Sequence, residues 1–435
     1  MLSEKIASEI MTEIREKVKD FVSETVANRK TVSFDQIETQ VSELKESFGK
    51  ILSEGALGAI GSGHKGQRIA CQCGGTLEYQ SNRRWILISL NGRLEIYRAY
   101  YYCKSCKSGS APLDDQLGLE GKHHSIGVRK KVSLEASSEP FEETSKRLKE
   151  LIGIQVSSKE TQLESEELGR EVGLQEDAEV EAFWLEEKDI EPEVNARRLY
   201  ITADGTSVPT DEGGKEVKIG SVYETPHTRN GLANDIMYTG GFHNSEYFGK
   251  KLYVLALRRG LRSAGVVIFI GDGARWIWKL VSHHFPEAIQ IVDFYHAADR
   301  LWSLSRAIYG EGTKTCKDWA KRRIKHLVKG KVELVISSLS ELCSSNADIE
   351  EEVVDNITYF TNNKERMRYK EYRKNGYHIG SGTVESACKH IVGQRLKQAG
   401  MRWSVEGADA ILQLRILWKN GEWNRFWNNR KKKAA

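Results

Sequence analysis

The sequence has no long hydrophobic run. No stretch approaches the ~20 consecutive apolar residues that a bilayer-spanning helix needs, so a helical membrane protein is not expected. The first ten residues, Met1 to Ile10, lack the basic-then-apolar order of an export signal, and a cytoplasmic protein is expected. Cysteine is sparse, at seven in 435 residues. In a reducing compartment these are expected as thiols or metal ligands, not disulfides. An excess of one charge is also missing: 65 basic against 61 acidic residues leave +4. Overall charge therefore points to no partner, and local clusters must do so. What the chain does have is length for two to four domains, with 39% hydrophobic residues to build their cores.

Residues 1–60 read as helical. Ile6, Ile10, Ile14, Val18 and Phe21 recur at helical spacing, and Asn28 to Thr31 breaks the pattern. A second stripe, Phe34, Ile37, Val41, Leu44 and Phe48, runs on to about Leu52. Gly55 to Gly66 reads as a linker. Across 66–118, Cys71-Gln72-Cys73 and Cys103-Lys104-Ser105-Cys106 flank two strand-like runs that turn at Asn91-Gly92. Cysteine pairs on turns joined by a hairpin make a zinc ribbon with four thiolates around a structural Zn2+. A single residue within the first pair, where two are commoner, predicts an irregular turn. Over 122–190 come short helices near 127–136 and 141–151, then Ser157 to Glu160 as a capping box opening a third. That succession suits a DNA-binding helix-turn-helix or a small bundle. Its third helix, with Glu160, Glu164, Glu166 and Glu167, is acidic for a groove reader. The acidic run Glu171 to Glu193 reads as a domain boundary.

From residue 197 the pattern changes to three strands, a helix, a strand, a helix and a strand. The first strand, Leu199 to Ala203, leads into Asp204. The fourth, Val266 to Ile270, leads into Gly271-Asp272-Gly273, and the fifth, Ala288 to Val292, leads into Asp293. Asp after a strand is also an ordinary turn or cap residue. Three antiparallel strands followed by β-α-β units is the order of an α/β ribonuclease-H-like fold, in which the first and fourth strands adjoin. The catalytic domain would span 197–296 and 376–427, interrupted by an all-helical insertion at 297–375. Adjacent carboxylates repel unless a cation lies between them, and oxygen-only ligands suit Mg2+ or Mn2+. Glu385 opens a later helix, where a cap role is equally ordinary.

Asp204-Gly205, Gly271-Asp272-Gly273-Ala274, Asp293-Phe294-Tyr295-His296, the helical insertion and Gly382-Thr383-Val384-Glu385 together resemble the DDE transposases of bacterial insertion sequences. More narrowly they are similar to the ISKra group of the Mutator-like superfamily, in which an Asp-x-x-His marks the second aspartate region. Gly400 to Ser404 and the cysteine segment fit as well, and the resemblance covers roughly 65–425. It implies Asp204, Asp272 and Glu385 as ligands of two Mg2+ ions, and metal-dependent DNA cleavage and strand transfer at element ends. His296 would have a catalytic outer-shell role, orienting Asp272 or the scissile phosphate, or else be a neutral core histidine. A nuclease without strand transfer, or a transposase-derived regulator that binds DNA without cutting it, would share these motifs.

The expected partners are terminal inverted repeats and target DNA, bound by a homo-oligomer in the cytoplasm at the nucleoid. Lys314, Lys317, Lys321, Lys325 and Lys329 share one helical face, a solvated row or a phosphate-contacting one. Lys364, Arg366, Arg368 and Lys370 lie in a second basic cluster before the Glu385 helix, and Arg395 follows that helix. With Lys317, Lys321 and Lys325 they form the expected DNA-contacting set. Residues 428–435 read as a basic tail.

Overall fold

A computed structural model describes residues 2–119, 121–224, 234–343 and 350–434. The chain divides into two compact units, 1–165 with 426–435, and 166–425.

In the first unit, α1 (Leu2–Ala27) and α2 (Phe34–Ile60) form a helical hairpin. Ser33 and Gln36 close a capping box at the start of α2. The first half of the expected linker is helix instead, since α2 continues through Gly55 and Gly58 to Ile60, and only 61–66 is irregular. The reason lies in packing. A Cβ on Gly55 would stand 2.3 Å from Ile10 Cδ1, so this glycine lets the two helices approach. Strands β1 (Arg68–Ala70), β2 (Thr76–Ser89), β3 (Gly92–Cys103) and β4 (Gly109–Ser110) form an antiparallel sheet in that order. Ser89 pairs with Gly92 across the hairpin turn, where Gly92 has φ 91°. Helices α3 (Pro112–Leu117), α4 (Ile126–Ala136) and α5 (Phe141–Ile152) follow, with Val128, Val132 and Leu148 buried together.

The capping box at Ser157 and Glu160 forms and opens α6 (Ser158–Leu185). Glu164, expected on the face of a recognition helix, is buried and accepts from Arg129 Nε at 2.6 Å and lies 3.2 Å from His124 Nδ1. Its charge therefore has internal partners. The boundary between the units falls inside α6, not near residue 193 as the acidic run suggested. Acidic residues there face cations: Lys251, 1% exposed, lies 2.9 Å from Glu176 and 3.3 Å from Asp177. Gly169 brings α6 against a later helix, where an added Cβ would stand 2.0 Å from the Ala410 carbonyl oxygen.

The second unit holds β5 (Arg198–Thr210), β6 (Gly213–Glu224), β7 (Asn234–Gly241), α7 (Ser245–Arg258), β8 (Val266–Gly271), α8 (Arg275–His284) and β9 (Ile289–Val292). The sheet order is β7-β6-β5-β8-β9. The first three strands are antiparallel, and β8 and β9 run parallel to β5. The first strand thus adjoins the fourth, as expected. Ile201, Ile268, Phe269 and Ile291 are fully buried in its core. The helical stretch comprises α9 (Phe294–Tyr309), α10 (Lys314–Val328), α11 (Val332–Cys343), α12 (Glu350–Asn363), a 3-10 turn at Lys364–Arg366 and α13 (Tyr369–Lys374). After it come α14 (Gly382–Ala387), a π-helical segment at Cys388–Gly393, the short α15 (Gln394–Leu396), α16 (Val405–Lys419) and α17 (Trp423–Ala434). The last helix takes in the run expected to be a basic tail.

Candidate functional site

Two clusters could carry chemistry. In the first, Cys71 and Cys73 lie in the turn between β1 and β2, Cys103 ends β3, and Cys106 lies in the turn between β3 and β4. The hairpin register carries Leu77 opposite Cys103, so the two turns meet at one end of the sheet. All four sulfurs lie within 4.8 Å of one another, with separations of 3.4 Å (Cys71–Cys73), 3.6 Å (Cys71–Cys106) and 3.8 Å (Cys73–Cys103). Sulfurs each ~2.3 Å from a central zinc would stand roughly 3.8 Å apart. The short first pair is accommodated by a tight turn in which the Cys71 N–H donates to the Gly75 carbonyl and the Gly74 N–H to the Cys71 carbonyl. Hydrogen bonds from the Ser108 hydroxyl and N–H bring the Cys106 thiol down to about 6, which favours its thiolate form. These four cysteines can bind a structural metal ion such as zinc.

The second cluster lies at one edge of the five-stranded sheet. Parallel pairing of β5 with β8 ends at Thr202–Ile270, and pairing of β8 with β9 at Gly271–Val292. Carried forward, the same registers set Asp204, Asp272 and Asp293 at one level. Asp204 is within β5 and not after it, because β5 outruns β8 and stays paired to β6 through Thr210. The Gly205 N–H donates to Asp204 Oδ1 at 2.7 Å, and the Ala274 N–H to Asp272 Oδ1 at 2.9 Å. Burial holds the Asp204 carboxyl above the usual carboxylate range, against the Gly205 N–H that pulls it down and with the neighbouring Asp272 charge pushing it up.

Asp293 has a different task. It is 4% exposed, its Oδ1 accepts the His296 N–H at 2.9 Å, and its Oδ2 accepts the Ser381 N–H and hydroxyl at 2.5 Å each. It caps α9 and ties β9 to the start of α14, so the structure separates it from the two open aspartates. Glu385 is exposed in the first turn of α14, which packs against β5 and β6. Thr383 in the same turn accepts from Ser221 at 3.3 Å, and Ser221 in turn contacts Thr202 of β5 at 2.6 Å. His296 is exposed at the start of α9, with its ring 6.4 Å from that of Tyr359. Among the described residues, only the four cysteines bring three or more ligand atoms within 4.8 Å of one another, so the three carboxylates are not drawn that close.

Two further residues at this edge are not singled out by the sequence pattern. Cys388, one turn after Glu385, has its Sγ 3.5 Å from Asp204 Oδ2. Burial and the Asp204 charge push that thiol up, so it stays protonated. Tyr359 of α12 donates its hydroxyl to the Asp272 carbonyl at 2.9 Å and covers Gly273, where a Cβ would stand 2.5 Å from its ring. Helical periodicity shows neither contact. The one signal for Cys388 is its position three residues beyond Glu385, on the same helix face.

The family described as Uncharacterised protein family (UPF0236) matches residues 27–433. The chain belongs to UPF0236. It is similar to UPF0236 proteins of Caldanaerobacter subterraneus subsp. tengcongensis. One is 28% identical over 365 residues, covering 79% of this chain and 70% of the relative, under a name that spans four loci. Another is 27% identical over 363 residues with the same coverage, and its name spans eleven loci. A Streptococcus gallolyticus relative, the UPF0236 protein in vanSb 3'region, is 25% identical over 330 residues, 73% of this chain and 69% of its own.

Within this UPF0236 chain the expected DNA-contacting residues divide. Lys317, Lys321 and Lys325 are exposed along α10, while Trp319 and Leu327 are buried behind them. Lys364 and Lys370 are exposed, and Arg368 is exposed but paired with Glu365. Arg366 is half-buried over the Trp278 ring at 4.6 Å and donates to Gln290 Oε1 at 2.7 Å. Arg395 is a correction. It is 0% exposed, lies 4.9 Å from the Trp403 ring and contacts the Met401 sulfur, so it is a core cation and cannot meet DNA.

Proposed function

We propose that this chain is a DDE-type transposase that performs metal-dependent DNA cleavage and strand transfer at the ends of an insertion sequence. The observation that carries the reading is the parallel register of β5 with β8, which, carried two residues past its last pair, sets Asp204 of β5 level with Asp272 in the turn after β8, with the Asp204 carboxyl held above its usual range. The β7-β6-β5-β8-β9 order supports a ribonuclease-H-like catalytic domain with α9 to α13 as its helical insertion. Relatives whose names span four and eleven loci favour a mobile element over a resident nuclease.

The donor set fits a hard dication. Asp204 and Asp272 are oxygen donors whose mutual repulsion a cation would relieve, and Glu385 is exposed on the helix beside β5. These three would hold Mg2+ or Mn2+, which when bound supplies an activated oxygen nucleophile and stabilises the leaving oxygen. The chain's own part is positional. The Ala274 N–H fixes the Asp272 carboxylate, Tyr359 fixes its carbonyl, and Asp293 anchors α14 so that Glu385 stays beside β5. His296, exposed in the first turn of α9, orients Asp272 or the scissile phosphate. The four cysteines hold a structural Zn2+. The partners are element ends and target DNA, bound by a homo-oligomer at the nucleoid. Incubating the full chain with end-containing DNA, a target plasmid and Mg2+ tests this. Joined products are expected. Cleavage without joining would make the protein a nuclease, and neither product would remove the reading.

A further inference from the structure

A recess of about 820 Å3 lies beside the Asp272 turn, between α8, α9 and α12. Gly273 and Tyr359 form the wall nearest the carboxylates, and Tyr359 is the residue that donates to the Asp272 carbonyl. The recess therefore begins where the Gly271-Asp272-Gly273 turn ends. Arg275 and Lys279 enter it from successive turns of α8, Arg300 from α9, and Arg366 from the turn after α12. Asp355 is the one acidic residue in its lining.

Among the described residues, Arg275, Lys279 and Arg300 form no ion pair. Arg366 differs, since Gln290 and the Asn362 carbonyl accept from it. The Arg300 guanidinium lies 4.2 Å from the Tyr359 ring centre, and its Nε is buried without an acceptor. The first turn of α8 carries no acidic side chain, so its N-terminal dipole adds to the positive field. Cations gathered in a concave wall repel one another and raise the local concentration of anions. Three unpaired cations spread over two helices suit successive phosphates on a strand better than one compact phosphate group.

We propose that this recess binds the phosphate backbone of a single nucleic-acid strand, which Arg275, Lys279 and Arg300 hold as it leads to the Asp272 carboxylate. The destination of the strand rests on the proposed DNA-cutting role of Asp204, Asp272 and Glu385. The anion site does not. None of these three cations belongs to the set that helical periodicity and charge runs single out, because each is separated in sequence and only folding assembles them.

The test measures anisotropy of a fluorescent single-stranded oligonucleotide of about 20 nucleotides, long enough to span one binding groove. It uses the full chain in EDTA across a salt series. An Arg275→Ala, Lys279→Ala, Arg300→Ala variant should weaken binding by about tenfold or more and flatten the log–log salt slope by about two, at roughly 0.7 per lost phosphate contact. An Arg275→Lys, Arg300→Lys variant should keep most of the affinity. If the triple variant fails to fold, Lys279→Glu, an exposed change, should still weaken binding severalfold. Unchanged affinity and slope would overturn the proposal. So would displacement of the strand by millimolar inorganic phosphate or nucleoside triphosphate, which would make the recess a compact-phosphate site. The assay contains no metal, so the two readings fail separately. A chain that binds through the recess yet never cuts DNA loses only the transposase reading. One that cuts with the recess variants unimpaired loses only this inference.

Discussion

The cysteine cluster and the carboxylate edge both crowd groups that repel when charged, and the chain builds them in opposite ways. The cysteines lie in or at the edge of turns between paired strands, at most 35 residues apart, with sulfurs already at distances that suit one tetrahedral ion. Four sulfurs fill every position of such a site, so it is closed and serves folding. At the sheet edge, two aspartates share a level without a third ligand drawn to the same distance, and Glu385 stands exposed on a separate helix. On the proposed reading, that arrangement leaves room for substrate oxygens. Local turns suffice for a closed structural site, whereas an open one needs long-range topology to bring its groups to one edge.

The largest expected effect falls on the closed site. Cys103→Ser should remove the metal and unfold the sheet of β1 to β4, because binding free energy at such sites is folding free energy, on the order of 10 kcal/mol. Elemental analysis of wild type should give one zinc per chain, and circular dichroism with limited proteolysis should show the loss in the variant. Full zinc content in a Cys71→Ser, Cys103→Ser double variant would end the comparison.

Asp293→Asn sharpens it next. Three donors from two segments converge on this buried carboxylate, and losing charge-assisted bonds should lower stability by about 2–3 kcal/mol. A melt in EDTA measures this, and an unchanged Tm would return Asp293 to the open set with Asp204 and Asp272.

Asp204→Asn should act weakly and with the opposite sign. Its folded-state carboxyl is raised, so the proton is held more tightly in the folded chain than in the unfolded one. Its stabilising contribution is complete below the ordinary carboxylate value and is lost as pH rises through the folded one. Removing the charge should therefore raise the metal-free Tm slightly at neutral pH, with no gain at pH below the ordinary carboxylate range. A lower Tm at pH 7 would show that the aspartate is structural.

Much of this was legible in the chain. The cysteine pairs, the hairpin turn at Asn91-Gly92, the strand order and the ends of β8 and β9 at Asp272 and Asp293 follow from local pattern, and the structure has them, whereas Asp204 lies inside β5. The rest depended on neighbours distant in sequence. Asp293 looks like Asp272 until Ser381, 88 residues on, claims its second oxygen. Arg395 looks like a phosphate contact until Trp403 covers it. The acidic run before residue 193 looks like a domain boundary until Lys251 is buried against it. Gly55 looks like the start of a linker until Ile10 fills the space its missing side chain leaves. Burial and pairing of charge are tertiary facts, and periodicity carries neither.

The most direct test of the central claim compares Mg2+-dependent cleavage of end-containing DNA by wild type, Asp272→Asn, Glu385→Gln and Asp293→Asn, with DNA binding measured alongside. Loss of a ligand to catalytic metal removes several kcal/mol of transition-state stabilisation, on the order of a thousandfold in rate or more. Asp272→Asn and Glu385→Gln should lose cleavage to that extent while binding DNA as wild type does. Asp293→Asn should lose stability first and retain measurable cleavage below its melting temperature. Cleavage at the wild-type rate by Asp272→Asn would contradict the account.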